Sequence, residues 1–296
     1  MRTSTWIWLG ISLATLAFAV GGRATPAEDV KLAVTDLEGL EQLQREFGAF
    51  QQTLAEKTGL RVSFFPVPNR TAAVEALRAR RVDVALTGPA EYVIFKTRTQ
   101  SVPIAGFSRP SYFTDLIVLA DSGITRVEAL RGKKIALGAV GSTSKHLAPM
   151  QILKEHGIDP LTEVEIVHID SYKTAWEALK RGDVQAFATT DDKFVSLREK
   201  ETELAPGAFR VLARSGDLPN DVLLARADLN PTVIERIVAA LRDHSPELIA
   251  AILAGEDNQK YRGMKFLTRV ADSDYDAVRE MYKTAGYAQL ARFIDE

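Results

Sequence analysis

The segment with the strongest chemical character runs from Gly138 to His146, between a predicted strand and a predicted helix. It holds three consecutive hydroxyl residues, Ser142, Thr143 and Ser144. A helix N-terminus carries free N–H groups and a partial positive charge, so hydroxyls there can donate to separate oxygens of a tetrahedral anion. The alternative is that one hydroxyl caps the helix while the others contact water. The glycine spacing and the missing lysine–hydroxyl ending exclude a nucleotide-binding P-loop.

Other polar residues are candidates with an ordinary structural alternative. His146 can donate to an anion or lie on the surface. Asp191 and Asp192 end a predicted strand, where paired carboxylates suit a metal, a cation partner or an acid–base pair, or where one of them caps the next helix. Tyr112 and Tyr172 offer hydroxyls and suit the core equally well. The four histidines lack metal-ligand spacing and no nucleophile–base motif occurs, so the sequence offers no metal-binding or catalytic constellation and we expect no cofactor.

Alternating strands and helices position these residues. The first third of the chain predicts strands at 30–35, 61–66 and 82–87, with helices at 41–58 and 71–79. The middle third predicts strands at 112–120, 134–138, 164–168, 184–189 and 209–214. The end predicts helices at 232–243, 246–254 and 274–285. Short strand-to-helix connections are typical of parallel sheets with covering helices, so we expect two α/β lobes, with the C-terminal helices returning to the first.

The composition narrows the class of partner. The chain has 296 residues, of which 46% are apolar and 26% are charged, and its formal net charge is −2. This length suits about two globular domains. A charge near zero gives no broad basic face for nucleic acid or for an anionic membrane.

The first 24 residues differ from the rest. Arg2 precedes a mostly apolar run at 6–20, and Gly22-Arg23-Ala24 follows, which is the layout of a cleavable secretory signal peptide. An uncleaved membrane anchor is the alternative, although the run is short for a bilayer. The chain has no cysteine, so it has no lipid-modified N-terminal cysteine, disulfide or thiolate metal site. We therefore expect an exported protein that is not a lipoprotein.

Four stretches carry a family resemblance, and they lie at 74–92, 112–133, 141–149 and 274–279. The most specific is Gly141-Ser-Thr-Ser with His146-Leu-Ala-Pro149. Together they resemble the phosphonate-type periplasmic binding proteins of ABC transporters, a family that also includes phosphite and phosphate binders. The resemblance covers nearly the whole mature chain, from about residue 30 to residue 287.

The resemblance implies a fold and a set of ligand positions. The fold is α/β, with the two lobes of a periplasmic-binding-protein (Venus-flytrap, type II) architecture. Lobe one would comprise residues 25–115 and 213–296, and lobe two residues 116–212. The ligand positions that match the family pattern are Tyr112, Ser142, Thr143, Ser144, His146, Asp192 and Asp221.

Three positions depart from the family pattern. Asn69-Arg70 stands where Asp-Tyr is common, Tyr172 where histidine is common, and Lys145 where small residues are usual. Arg70 would be a bidentate clamp for a compact, highly charged oxyanion, or it points to solvent. The departures concern the identity of the ligand more than the fold.

The resemblance implies a monomeric periplasmic protein that captures a phosphonate, phosphite or phosphate by lobe closure and presents it to an inner-membrane ABC permease. The hinge would involve strands near 112–120 and 209–215. An aspartate facing an anion implies that the ligand keeps a proton or carries a cationic group. One alternative is that the closed lobes dock on a sensor histidine kinase. Another is an enzyme on the same fold, with His146 and Asp192 as its acid–base pair.

Overall fold

The computed structural model describes residues 28–35, 37 and 39–290. The expected signal peptide, residues 1–24, lies outside the described residues. Within the described part, none of the helices combines the length and the apolar character that a membrane span requires.

The described chain contains eleven strands and nine α-helices. The strands are β1 (Asp29–Val34), β2 (Arg61–Phe64), β3 (Val84–Thr87), β4 (Val102–Phe107), β5 (Thr114–Leu119), β6 (Lys134–Leu137), β7 (Glu165–His168), β8 (Ala186–Thr190), β9 (Phe209–Arg214), β10 (Asp221–Ala225) and β11 (Phe266–Leu267). The helices are α1 (Gly39–Thr58), α2 (Arg70–Arg78), α3 (Pro89–Arg98), α4 (Ala148–Glu155), α5 (Tyr172–Lys180), α6 (Asp191–Lys200), α7 (Pro231–Asp243), α8 (Ser245–Leu253) and α9 (Asp276–Thr284).

Six strands form the sheet of the first lobe, in the order β11-β4-β10-β3-β1-β2. β1 pairs in parallel with β2 and β3, as the sequence predicts. β10 comes from the returning chain and runs antiparallel between β3 and β4. Because Val222 pairs with Thr87, the start of β10 lies beside the carboxyl end of β3. This pairing brings Asp221 to the edge of the sheet where α/β proteins bind ligands.

Five strands form the sheet of the second lobe, in the order β7-β6-β8-β5-β9. β6 is parallel to β7 and β8, whereas β5 is antiparallel to both β8 and β9. Thr114 pairs with Thr190 at the edge where β8 ends, and Asp115 pairs with Arg214 on the other side.

Helix α1 shows why the C-terminal helices return to the first lobe. Leu43, Phe47, Phe50 and Leu54 recur at helical spacing and are all buried, as the sequence predicts. They share one apolar cluster with residues of α7 and α8. The helix ends before Gly59, which takes a φ of +66°.

Helix α9 contacts both lobes, which the sequence did not predict. Tyr282 belongs to the same apolar cluster as Leu147 of the second lobe, and its hydroxyl donates to Ala90 O in the first lobe at 3.1 Å. Thr284 Oγ1 lies 2.7 Å from Gln151 Oε1 of α4, to which it donates. The apolar face of α9 therefore covers the place where the lobes meet.

Two short connections, residues 108–113 and 215–220, join the lobes. The strands expected to act as the hinge, at 112–120 and 209–215, lie mainly inside the second sheet as β5 and β9. The connections run side by side, because Leu218 N donates to Tyr112 O at 2.8 Å and Ser215 N donates to Thr114 O at 2.9 Å. Any hinge must therefore lie in these connections and not in the two strands.

Candidate ligand site between the lobes

A cavity of about 270 Å³ lies between the two lobes. First-lobe residues that line it include Arg70, Thr87, Gly88, Glu91, Arg109, Tyr112, Asp221, Asp257, Asn258, Lys260 and Tyr261. Second-lobe residues that line it are Ser142, Thr143, Ser144, Lys145, Tyr172, Thr190, Asp192 and Lys193. The structure thus brings together all the candidate site residues predicted from the sequence, with the exceptions of His146 and Asp191.

The hydroxyl loop of the second lobe depends on two glycines. Gly141 has a φ of +84°, in the left-handed region that favours glycine. A Cβ atom at Gly138 would lie 2.7 Å from the Cβ atom of Lys145, which is too close. Ser142 then caps a single π-helical turn, Thr143–Leu147, and its Oγ accepts from Lys145 N at 3.4 Å. Ser142 is therefore the one hydroxyl residue of the three that caps the helix, as the sequence allowed.

Pro149 explains why a wide, π-helical turn, Thr143–Leu147, precedes α4. Proline has no N–H, so the carbonyls of Ser144 and Lys145, five and four residues earlier, need other donors. Thr114 Oγ1 donates to Ser144 O at 2.7 Å, and Gly138 N donates to Lys145 O at 2.9 Å. These bonds fix the loop against β5 and against the end of β6.

The three consecutive hydroxyl residues are all buried, and none exposes more than 7% of its surface. Thr143 Oγ1 accepts a hydrogen bond of 3.0 Å from Ala90 N, in the first turn of α3, so this contact joins the two lobes. A hydroxyl that accepts a hydrogen bond keeps its own proton for donation. Both Ser142 and Thr143 therefore retain an O–H that suits the oxygens of an anion.

Arg70 and Glu91 form an ion pair on the first-lobe side of the cavity. Arg70 is the first residue of α2, which Asn69 caps by accepting from Ala72 N at 2.8 Å. The Glu91 side chain is only 4% exposed, so burial of its charge requires the guanidinium partner. The pair directs Arg70 toward the cavity, which favours the clamp over the solvent-facing alternative.

A second ion pair involves Arg109 and Asp221. An Arg109 guanidinium nitrogen lies 3.6 Å from Asp221 Oδ1, and the guanidinium carbon lies 3.5 Å from the centre of the Tyr112 ring. Tyr261 donates its hydroxyl proton to Asp221 Oδ2 at 2.6 Å. The buried Oδ1 atom makes no hydrogen bond within the described structure. Asp221 therefore presents an acceptor to the cavity.

Two lysines of the second lobe flank Tyr172. The Nζ atoms of Lys145 and Lys193 lie 5.0 Å and 5.9 Å from the centre of its ring.

The paired carboxylates that follow β8, Asp191 and Asp192, lie in different environments. Asp191 forms an ion pair with Arg214 of β9 at 3.0 Å, whereas Asp192 lines the cavity. Within the described residues no three metal-ligating side chains come together.

His146 lies behind the hydroxyl loop, in a buried position, and is not among the described residues that line the cavity. Its Nδ1 atom accepts from Gly141 N at 3.2 Å, and its ring centre lies 5.3 Å from that of His168. Burial, with a smaller contribution from His168, lowers the pKa of His146 to about 4. The neutral ring therefore supports the loop from behind, which corrects the prediction that it donates to the ligand.

Several lining residues were missed by the sequence analysis. Glu91 and Arg109 each follow a strand of the first lobe, so their position after a strand end was a usable signal. Asn258 and Tyr261 belong to a 3₁₀ turn that follows α8, far along the chain from the other site residues. Nothing local in the sequence marks that turn as part of a site.

The known family whose pattern matches residues 32–278 is that of ABC-transporter phosphonate periplasmic substrate-binding proteins. This protein belongs to that family. It is therefore a periplasmic solute-binding protein with a small ligand and a membrane permease as its partners.

Curated relatives in the family are distant in sequence. The phosphate-import protein PhnD of Mycolicibacterium smegmatis is 23% identical over 305 aligned residues, which cover 93% of this chain and 94% of that protein. The phosphonates-binding periplasmic protein of Escherichia coli is 26% identical over 220 residues, which cover 70% of this chain and 64% of that protein.

Solved structures confirm the two-lobed type II flytrap fold. A Xanthomonas citri protein bound to chloride has a TM-score of 0.72 at 18% identity and covers 88% of this chain and 98% of its own. PhnD1 of Prochlorococcus marinus, solved with methylphosphonate, has a TM-score of 0.64 at 17% identity and covers 88% of this chain and 99% of its own.

Proposed function

We propose that this family member binds a small phosphorus oxyanion (a phosphonate, phosphite or phosphate) in the cavity between its lobes and delivers it to an ABC permease. The observation that carries the proposal is the convergence of Ser142, Thr143 and Ser144 with Arg70 and Arg109 on one cavity. Hydroxyls and guanidinium groups are the donors that bind tetrahedral oxyanions. The names of the relatives, one a phosphate importer and one a phosphonate binder, support the same ligand class.

The charges around the cavity favour an anion that keeps a proton. Among the described lining residues, the cationic side chains are Arg70, Arg109, Lys145, Lys193 and Lys260. The acidic side chains are Glu91, Asp192, Asp221 and Asp257. The excess of positive charge is small, so it does not remove the repulsion between Asp221 and a fully ionised oxyanion. Because Asp221 Oδ1 can only accept a hydrogen bond, a ligand oxygen close to it must carry a proton and donate it. Hydrogen phosphate and hydrogen phosphonates carry such a proton at neutral pH, whereas sulfate does not.

Capture would proceed by closure of the lobes about the connections at 108–113 and 215–220. The hydrogen bond from Ala90 N to Thr143 Oγ1 crosses the cleft, so it would form only when the lobes close. A ligand held by both lobes stabilises the closed form, and the permease then recognises that form. The mechanism includes no chemical step, since His146 is not available at the cavity to act with Asp192 as an acid–base pair.

The remaining expectations are part of the same proposal. Residues 1–24 direct export and are then removed, and the mature protein acts in the periplasm as a monomer. No cysteine is present for attachment of a lipid, and with a formal net charge of −2 we expect no nucleic-acid partner. The lobes comprise residues 25–115 with 213–296, and residues 116–212.

A thermal-denaturation panel tests the proposed ligand class. The panel comprises phosphate, phosphite, methylphosphonate, aminoethylphosphonate, sulfate and selenate. A ligand at 100 times its Kd that binds only the folded state adds about 2.7 kcal/mol to the free energy of unfolding. We expect one of the phosphorus compounds to raise the midpoint most, with sulfate and selenate giving little change.

The matching variant is Ser142→Ala with Thr143→Ala. It should abolish the largest shift while leaving the unliganded protein folded, as judged by circular dichroism. The control is Ser122→Ala, which changes a hydroxyl on an exposed turn of the second lobe. The proposal is contradicted if the ligand raises the midpoint of the double variant as much as that of the natural protein. It is also contradicted if sulfate raises the midpoint of the natural protein as much as the best phosphorus compound does.

A further inference from the structure

A second cavity, of about 400 Å³, lies at the end of the first lobe that points away from the ligand cleft. Residues at the C-terminal ends of α2 and α3 and just beyond β10 line it. The opposite ends of α3 and β10 reach the ligand cleft, at Gly88 and Asp221. Since α3 has 10 residues, the two cavities are separated by about 15 Å.

Arginines dominate the wall of the second cavity. The charged residues that line it are Arg78, Arg80, Arg98, Arg226 and Asp228. Asp228 is shared, because Arg80 and Arg226 contact its two oxygens at 2.9 Å and 2.6 Å. Among the described residues, Arg98 forms no ion pair. The cavity therefore holds positive charge that its own carboxylate does not balance.

The pairs that do form are open to exchange. The Arg80 and Asp228 side chains are 73% and 45% exposed, and an ion pair in such a position contributes little stability. Arg78 pairs with Glu75 in an equally exposed position. Arg226 stays held by Asp83 at 2.9 Å in a mostly buried pair, but an incoming anion can recruit the Arg78 and Arg80 guanidinium groups without breaking a buried interaction.

Ser101 gives an independent sign of a missing partner. It lines the same cavity and is only 1% exposed, yet its Oγ atom makes no hydrogen bond within the described structure. Its backbone N–H donates to Thr99 Oγ1 at 3.2 Å, which fixes the residue in place. A buried hydroxyl without a partner is unfavourable unless a ligand supplies one.

We propose that this second cavity binds a phosphate-type group, with Ser101 donating its hydroxyl proton to one oxygen and Arg98 and Arg80 forming charged hydrogen bonds to the others. A guanidinium presents paired N–H donors that match two oxygens of such a group. The group comes either from free phosphate or from the headgroup of an anionic lipid, and both supply the same chemistry.

Calorimetric titration of the full chain with inorganic phosphate tests the proposal. The titration uses the Ser142→Ala/Thr143→Ala background, which silences the cleft and makes the result independent of the proposed function. We expect one phosphate to bind per chain. Ser101→Ala and Arg98→Gln should each weaken that binding by about tenfold or more. Ser101→Ala should also raise the melting temperature of the unliganded protein, because it removes the unsatisfied hydroxyl.

A second arm distinguishes the two sources of the group. Sedimentation with phosphatidylglycerol vesicles, compared with phosphatidylcholine vesicles, detects a lipid headgroup in the same site. Retention on the anionic vesicles that Ser101→Ala and Arg98→Gln reduce would support the lipid source, even without binding of free phosphate. The control is Arg210→Gln, which removes an exposed arginine of the second lobe. The proposal is overturned if neither probe binds, or if the two variants bind as well as the control.

Discussion

Asp221 accepts one hydrogen bond, from Tyr261, and turns its other oxygen toward the cavity with Arg109 3.6 Å away. A protonated ligand oxygen can donate to this second oxygen, whereas a fully ionised oxyanion meets repulsion there. Asp221→Asn replaces that acceptor with a group that can donate. We expect affinity for the best phosphorus ligand to fall and affinity for sulfate to rise, changing their ratio of Kd values by roughly tenfold or more.

Titration calorimetry with both anions measures this ratio. Asp217→Asn is the matched control, since Asp217 lies exposed on the connection that precedes Asp221. It should leave the ratio unchanged. If Asp221→Asn weakens both anions equally, or neither, the assignment of selectivity to this carboxylate is wrong.

His146 makes the stability of the second lobe depend on pH. Burial lowers the pKa of its ring to about 4, below the value near 6.5 expected in the unfolded chain. The unfolded state therefore binds more protons between these values, so the contribution of His146 is complete above pH 6.5 and is lost as pH falls toward 4. Urea unfolding at pH 7 and pH 5 should show a loss of roughly 2 kcal/mol from this residue.

The comparison variant is His146→Gln, which can still accept from Gly141 N but cannot titrate. It should show a smaller loss between the two pH values than the natural sequence does. His156→Gln, at an exposed position, should keep the full loss. Equal pH dependence in all three proteins would show that His146 is not the titrating group.

At the scale of elements, the hydroxyl loop keeps its shape because the end of β6 approaches the π turn closely. Gly138→Ala would place a Cβ atom 2.7 Å from the Cβ atom of Lys145, so the loop must move. We expect a destabilisation of about 1–3 kcal/mol and a clear loss of affinity for the oxyanion. Chemical denaturation and binding titrations of the same preparation measure both effects.

Gly48→Ala is the control for this substitution. Gly48 lies within α1, and a Cβ atom there would meet no other atom within 4 Å. Alanine is also the better helix former, so this variant should be as stable as the natural protein or more so. Unchanged affinity in Gly138→Ala would mean that the loop is not held as the structure indicates.

The elements that the sequence predicted well are those with local signals. Helix α1 follows from the spacing of its buried apolar residues, and α4 ends two residues before Gly157, which takes a φ of +73°. The hydroxyl loop was recognisable because its glycines and hydroxyls are adjacent in the chain. The π turn was not recognisable, because it depends on donors from Thr114 and from the end of β6.

At the scale of the whole molecule, the site depends on contacts between distant parts of the chain. Asp221 meets Tyr261 only because β10 inserts antiparallel into the first sheet and a 3₁₀ turn follows α8. Glu91 becomes relevant through its contact with Arg70, which begins a different helix. The spacing of residues along the chain carries no signal for such pairings, which is why most of the first-lobe wall was missed and the contact of α9 with the second lobe was not predicted.

The most direct test of the central claim is a crystal structure of the protein grown with phosphate and, separately, with methylphosphonate. We predict one anion in the cavity between the lobes, with its oxygens within hydrogen-bond distance of Ser142 Oγ and Thr143 Oγ1 and of the Arg70 or Arg109 guanidinium group. An anion bound elsewhere while this cavity holds only water, or hydroxyls that turn away from the bound anion, would contradict the account.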